Sequence, residues 1–207
     1  MSKNIKVGTK NQCMRKISLQ IENPDIHVER YVWKQCLYAH QVVLISTVDS
    51  EDVPNVAPKT WATPCRDDPP LFMFCCTSTH KTGQNVLSTG EFVVNYPGHD
   101  LVEKVALAGG SHNPNKIEAV GLTPLPSEKV RPPRIAECYQ HLECILEEKK
   151  QNGSTGYIFF GKVVAASSDE LPEDKNRKIE AANPLIYVHG RYTNICSLNP
   201  WKWPVAP

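Results

Sequence analysis

The chain has 207 residues, 41% hydrophobic and 22% charged, with a net charge of +1. That length and composition predict one globular domain with a sizeable core, and the charge balance gives no basis for nonspecific nucleic-acid binding. No apolar run approaches the roughly 20 residues that cross a bilayer, and the basic N-terminus lacks the apolar core of a signal peptide.

Residues 1–25 read as a polar arm with strand character in Ile17–Ile21, and Glu29–Ala39 has the apolar spacing of a short helix. Val42–Val48 is a β-branched strand. Asp49–Asp52 is a charged turn, and Val53–Thr63 resumes extended structure, with Pro58 and Pro64 restricting it to an edge or a bulge. Arg66–Pro70 is a rigid turn ahead of the apolar strand Leu71–Cys76. His80–Leu87 is predicted helical and stops at Thr89-Gly90, a C-cap signal.

Glu91–Tyr96 is the next strand, and Leu101–Leu107 is an amphipathic helix. Ala108–Gly121 is looser, and the proline-rich Leu122–Pro133 is extended over the surface. Tyr139–Glu147 alternates at period two, and Tyr157–Ala166 forms a second strand with Gly161 marking a bulge. Lys149–Thr155 is predicted to be the hairpin loop between them. Ser168–Ile179 is charged and solvated, Pro184–His189 is a last short strand, and the tail carries Trp201 and Trp203. Strands separated by short helices predict a mainly β fold, an antiparallel barrel or sandwich with helical decoration.

The eight cysteines form no C-x-x-C pair. Buried thiols that behave as small hydrophobes in a reducing, cytoplasmic compartment are the expected use. His99 and His112 lack partners at ligand spacing, so no metal site is assigned.

The most informative stretch is Leu71–Asn85, LFMFCCTSTHKTGQN. A buried strand gives way to Thr77, Ser78, Thr79, His80, Lys81 and Thr82, and then to a helix. Unpaired N–H groups, the helix dipole, hydroxyls and one ammonium make such a turn suited to an anion. Asn85 lies one turn on and is placed to brace the loop. The same residues also fit an ordinary Ser/Thr-capped helix. The preceding strand, Asn55–Pro64, offers a polar edge for a flat ring: small Ala57 and Ala62 allow close approach, Thr60 and backbone amides offer hydrogen bonds, and Lys59 is placed to stabilise negative charge on a reduced ring. A plain edge strand kinked by proline fits them as well.

Several blocks in order resemble the flavin reductase-like proteins, and within them the flavoredoxin-type branch. They are Val42–Val48 with Pro54-Asn55-Val56-Ala57-Pro58, Asp68-Pro69-Pro70, His80-Lys81-Thr82 with Asn85, and Thr89–Asn95. Lys116–Thr123, Pro132–Cys138, His141–Cys144 and Gly161–Val164 follow. The resemblance spans about residues 41–192 of a single domain and implies a Greek-key split β-barrel, noncovalent FMN and a homodimer. It places Thr77, Ser78, His80, Lys81, Thr82 and Asn85 on the phosphate side, and Lys59, Thr60, Trp61 and Ala62 on the isoalloxazine side.

Two departures stand out. This chain has Gly156 where family members often carry a histidine, and Lys59 where relatives are more often apolar. The implied function is an oxidoreductase that passes electrons from NADH, NADPH or another carrier through FMN to a small-molecule or protein partner, with no catalytic side chain assigned. The alternatives are a flavoredoxin-like carrier without NAD(P)H activity and a cofactor-free interaction module. No G-x-G-x-x-G motif is present, though a split barrel would not need one.

Overall fold

The computed structural model describes residues 39–111, 113–188 and 191–194. The predicted arm, the Ile17–Ile21 strand, the proposed helix up to Tyr38 and the tryptophan tail lie outside them. Ala39, placed in that helix by its spacing, instead begins strand β1 (Ala39–Gln41).

The centre of the fold is a seven-stranded antiparallel sheet. In chain order its strands are β2 (Val43–Val48), β3 (Pro54–Lys59), β4 (Ala62–Asp67), β5 (Pro70–Thr77), β6 (Glu91–Tyr96), β9 (Gln140–Asn152) and β10 (Gly156–Ser168). Their spatial order is β3-β2-β6-β9-β10-β5-β4. Thus β3 and β4 are the two edges, yet only Thr60 and Trp61 separate them in sequence. A sheet whose opposite edges are joined by two residues has to curl until those edges meet. The segment expected to be one extended run is therefore broken at a corner, and this corner closes the split barrel. Pro58 and Pro64 sit on these edge strands, where a missing N–H costs no ladder bond.

Two smaller sheets flank the barrel. One has the order β1-β11-β12, with β11 (Leu185–Val188) and β12 (Arg191–Asn194). The other pairs β7 (Pro124–Leu125) with β8 (Arg134–Ile135). The expected last strand is thus followed by one more.

Strand β2 is buried along its whole length, and its alternation explains why. Val43 and Ile45 face the barrel interior with Phe72, Phe74, Phe92, Val94 and Phe159. Val42 and Leu44 face a second core, which includes Leu101, Val105 and Ala108 with Ile117 and Ile135. That outer layer comes from α2 (Val102–Gly110) and α3 (Lys116–Ala119), so a strand covered on both faces reads as a continuous apolar run. A 3-10 turn at His99–Leu101 leads into α2.

The β9–β10 hairpin is longer than its sequence predicts. Both strands have 13 residues, and only positions 153–155 remain as the turn. The exposed charges Glu147–Lys150 therefore lie inside a strand. Gly161 does sit at a register shift. A Cβ there would overlap the Phe92 ring, so the barrel interior requires glycine. Within the segment predicted as solvated, α4 (Lys175–Ala182) begins at Asp174, whose carboxylate accepts from the Asn176 and Arg177 N–H groups.

Candidate functional site

Helix α1 (Lys81–Thr89) starts where β5 ends, as the strand-to-helix switch predicts, and stops at Gly90, whose φ of 71° is left-handed. Its start is unusual. The N-cap His80 makes no side-chain cap hydrogen bond, and the first turn carries no acidic residue. The Lys81, Thr82 and Gly83 N–H groups are thus left without the usual intrahelical or N-cap acceptor. Gly83 is buried beneath the loop, where a Cβ would overlap the Thr77 carbonyl oxygen. Close approach of loop to helix therefore requires glycine here.

The predicted phosphate-side residues divide into two kinds. Thr82 and Asn85 are each 2% exposed and point into a buried polar knot. Asn55 Nδ2 donates to Thr82 Oγ1 at 3.1 Å and to Thr47 Oγ1 at 3.4 Å. Asn85 Nδ2 donates to the same Thr47 oxygen at 3.0 Å. Asn85 thereby ties α1 to β2, and Thr82 is held in the same knot. The second kind is accessible. Thr77 and Ser78 are half-buried, and Thr79, His80 and Lys81 are exposed. Thr77 and Thr79 share a short hydroxyl contact, and Ser78 N–H is held by the Thr155 carbonyl at 2.8 Å.

Lys81 has a partner that its local sequence does not reveal. Its Nζ donates to Asp49 Oδ2 at 2.8 Å. Asp49 comes from the β2–β3 turn, and its Oδ1 accepts from the Glu51 and Val53 N–H groups at 3.0 and 2.9 Å. The Lys81 hydrogen bond above all, helped by these N–H donors, holds the Asp49 carboxyl below the usual carboxylate range. The pair is solvent-accessible, so water and salt screen it and it adds little to stability.

The predicted ring-side residues form the barrel-closing corner. Lys59 ends β3, Thr60 and Trp61 turn the chain, and Ala62 begins β4 and packs against the barrel core. Trp61 is 45% exposed. Its carbonyl accepts from Cys75 N–H at 2.9 Å, two residues before Thr77. That bond sets the corner beside the end of β5, and Asn55–Thr82 ties β3 to α1. The corner is thus tied to β5, and the helix start to the beginning of β3.

A second cation near Lys59 escaped sequence reasoning. Lys116, at the start of α3, is only 8% exposed, in a stretch expected to be loose. Burial first, and the neighbouring Lys59 charge second, push its ammonium pKa down. A lysine directly before an apolar Ile117 was the available signal, but nothing in spacing shows that α3 packs on β3.

These donors suit a phosphate-bearing flavin. The helix start has unpaired N–H groups, hydroxyls and a cation, and the corner has an exposed aromatic ring with two lysines nearby. Among the described residues, no group of three or more His, Cys, Asp or Glu is placed to hold a metal ion. No described helix is long and apolar enough to cross a membrane.

The sequence profile of the flavin reductase like domain matches residues 35–196. A protein of Methanothermobacter thermautotrophicus is 34% identical over 80% of this chain and 82% of its own length. HsaB of Rhodococcus jostii, the reductase subunit of a flavin-dependent monooxygenase, is 27% identical over 80% of this chain and 75% of its own. Among solved structures, flavoredoxin of Desulfovibrio vulgaris (Miyazaki F) superposes with a TM-score of 0.72 at 24% identity, over 81% of this chain and 91% of that one. The order of strands, the barrel-closing corner and a profile match across most of the sequence agree: this chain belongs to the flavin reductase-like family.

Proposed function

We propose that the protein is an FMN-binding oxidoreductase that passes reducing equivalents from NADH or NADPH, or another carrier, to an acceptor. The observation that carries this reading is an uncapped, acid-free helix start directly after a buried strand in a flavin reductase-like barrel. When bound, the flavin supplies the electron-accepting ring chemistry. The Lys81–Gly83 N–H groups, the Ser78 and Thr79 hydroxyls and Lys81 would bind its phosphate. Thr60, Ala62 and the corner backbone would orient the ring, and Trp61 would cover it from water.

Lys59 and Lys116 would set the local potential. Two ammonium groups crowded together repel, and Lys116 is poorly solvated as well. An electron-rich ring beside them relieves both penalties, so the pair favours the reduced state over the oxidised one. No side chain here is required as a general acid or base. FMN rather than FAD, a cytoplasmic setting and a homodimer with its flavin site near the subunit seam belong to the same proposal. HsaB supports the reductase reading as a 27% identical relative.

The test is anaerobic. Protein loaded with FMN is mixed with NADH or NADPH, and flavin absorbance is followed. Rapid bleaching is expected. Flavin that binds but bleaches with neither nucleotide would replace the reductase with a flavoredoxin-like carrier. Protein that takes up neither FMN nor FAD would leave a cofactor-free module.

A further inference from the structure

The carboxylate that meets Lys81 has two oxygens with separate tasks. Asp49 Oδ1 accepts both turn N–H groups, and Oδ2 takes only the Lys81 ammonium. The turn is pinned at its far end too. Arg131 Nη1 donates to Asp52 Oδ1 at 3.1 Å, and Arg131 Nε donates to Glu91 Oε2 at 3.1 Å. Asp49 is therefore anchored, whereas the Lys81 side chain is 51% exposed and able to move.

An anion arriving at the helix start meets a neutralised lysine with a fixed negative charge directly behind it. An exposed ion pair is easily exchanged, but the carboxylate stays in place after the exchange. Its repulsion acts on the incoming phosphate at short range. Exposed Glu51 lies in the same turn and adds to the negative field.

We infer that Asp49 is a built-in competitor for the flavin phosphate: it occupies Lys81 in the free protein, weakens the phosphate grip and keeps the flavin exchangeable. The inference rests on the proposed flavin site and adds to it an affinity-setting residue outside the phosphate loop. Charge alone then orders the variants. The Asp49–Lys81 pair is neutral, D49N leaves +1, K81A leaves −1, and the double variant is neutral again. Asparagine keeps an oxygen for the Glu51 and Val53 N–H groups, so D49N retains the turn.

The experiment titrates each full-length protein with FMN and with riboflavin, which has no phosphate, by flavin fluorescence at low and high salt. D49N is expected to bind FMN about tenfold tighter, with a steeper loss of affinity in salt. K81A is expected to bind FMN about tenfold weaker, and the double variant within about threefold of the unaltered protein. Riboflavin affinity should be the same throughout. FMN binding by D49N that is no tighter than the unaltered protein's overturns the inference while leaving the flavin site standing. So does an equal gain for riboflavin. An unaltered protein that binds neither flavin removes the proposed site and the inference together. Circular dichroism melts confirm that each variant is folded, and if D49N is not, D49S, whose hydroxyl oxygen also accepts from the turn N–H groups, takes its place under the same expected and overturning outcomes.

Discussion

Asn85 Nδ2 donates to Thr47 Oγ1 at 3.0 Å, and this one bond fastens helix α1 to strand β2 inside the protein. Asn55 completes the link by donating to both Thr47 and Thr82. The helix start is held from within, so the first turn of α1 keeps a fixed geometry. Replacing Asn85 with alanine deletes a buried donor and leaves Thr47 poorly paired. Stability should fall by about 1–3 kcal/mol. Urea unfolding measures this, and an unchanged midpoint would show that the knot does not hold the helix.

Gly83 permits the contact between α1 and the end of β5. G83A would drive a methyl group into the Thr77 carbonyl, a backbone atom that cannot rotate away. Overpacking of this kind costs about 1–3 kcal/mol. Melting temperature and FMN affinity should both drop, because the displaced loop is the one proposed to hold the phosphate. A variant that melts normally and binds FMN normally would contradict this placement.

Lys116 is expected to trade stability for function. K116M removes a poorly solvated charge while keeping side-chain length. The flavin-free protein should become more stable, by on the order of 1 kcal/mol. The bound flavin should at the same time become harder to reduce, since one of the two cations proposed to lie beside the ring is gone. Thermal melts and a spectroelectrochemical titration check the two halves. A midpoint potential that does not move would separate Lys116 from the ring.

His141 gives the protein a dependence on pH. Its Nε2 meets the Ile135 carbonyl at 2.9 Å, so Nε2 carries the proton, and Nδ1 lies 3.2 Å from Ser167 Oγ. Burial pushes the imidazole pKa down, partly offset by the Ile135 hydrogen bond, and Arg134 adds to the lowering. A base whose folded pKa is depressed binds its proton more readily once unfolded. Its effect on stability is therefore nil above the ordinary histidine range, and stability is lost as pH falls below that range toward the folded value. One proton gives a slope of at most about 1.4 kcal/mol per pH unit. Urea unfolding at pH 8, 7, 6 and 5 should show the decline, and H141Q should flatten it. An identical slope in the variant would assign the effect to another group.

Much of the site was legible in the linear sequence because its signals are local. A strand ending in Thr77-Ser78-Thr79, a lysine at the first helical position and a glycine C-cap lie within about one element of each other. Each follows from backbone geometry that neighbouring residues control. The two barrel edges were half legible: Pro58 and Pro64 marked them, but not that they adjoin. The β9–β10 hairpin was underestimated, since charged Glu147–Lys150 extends a ladder whose exposed face needs no apolar residue.

Asp49 and Lys116 were not legible, and the reason is the same for both. Asp49 reaches Lys81 across 32 positions only because β2 and α1 pack side by side. Lys116 is buried only because α3 lies on β3. Local preference decides where a strand or helix forms, and the chain alone determined that much here. Which charge finds which partner, and which lysine loses its water, depends on packing between elements far apart in sequence, and so only the folded barrel decided it.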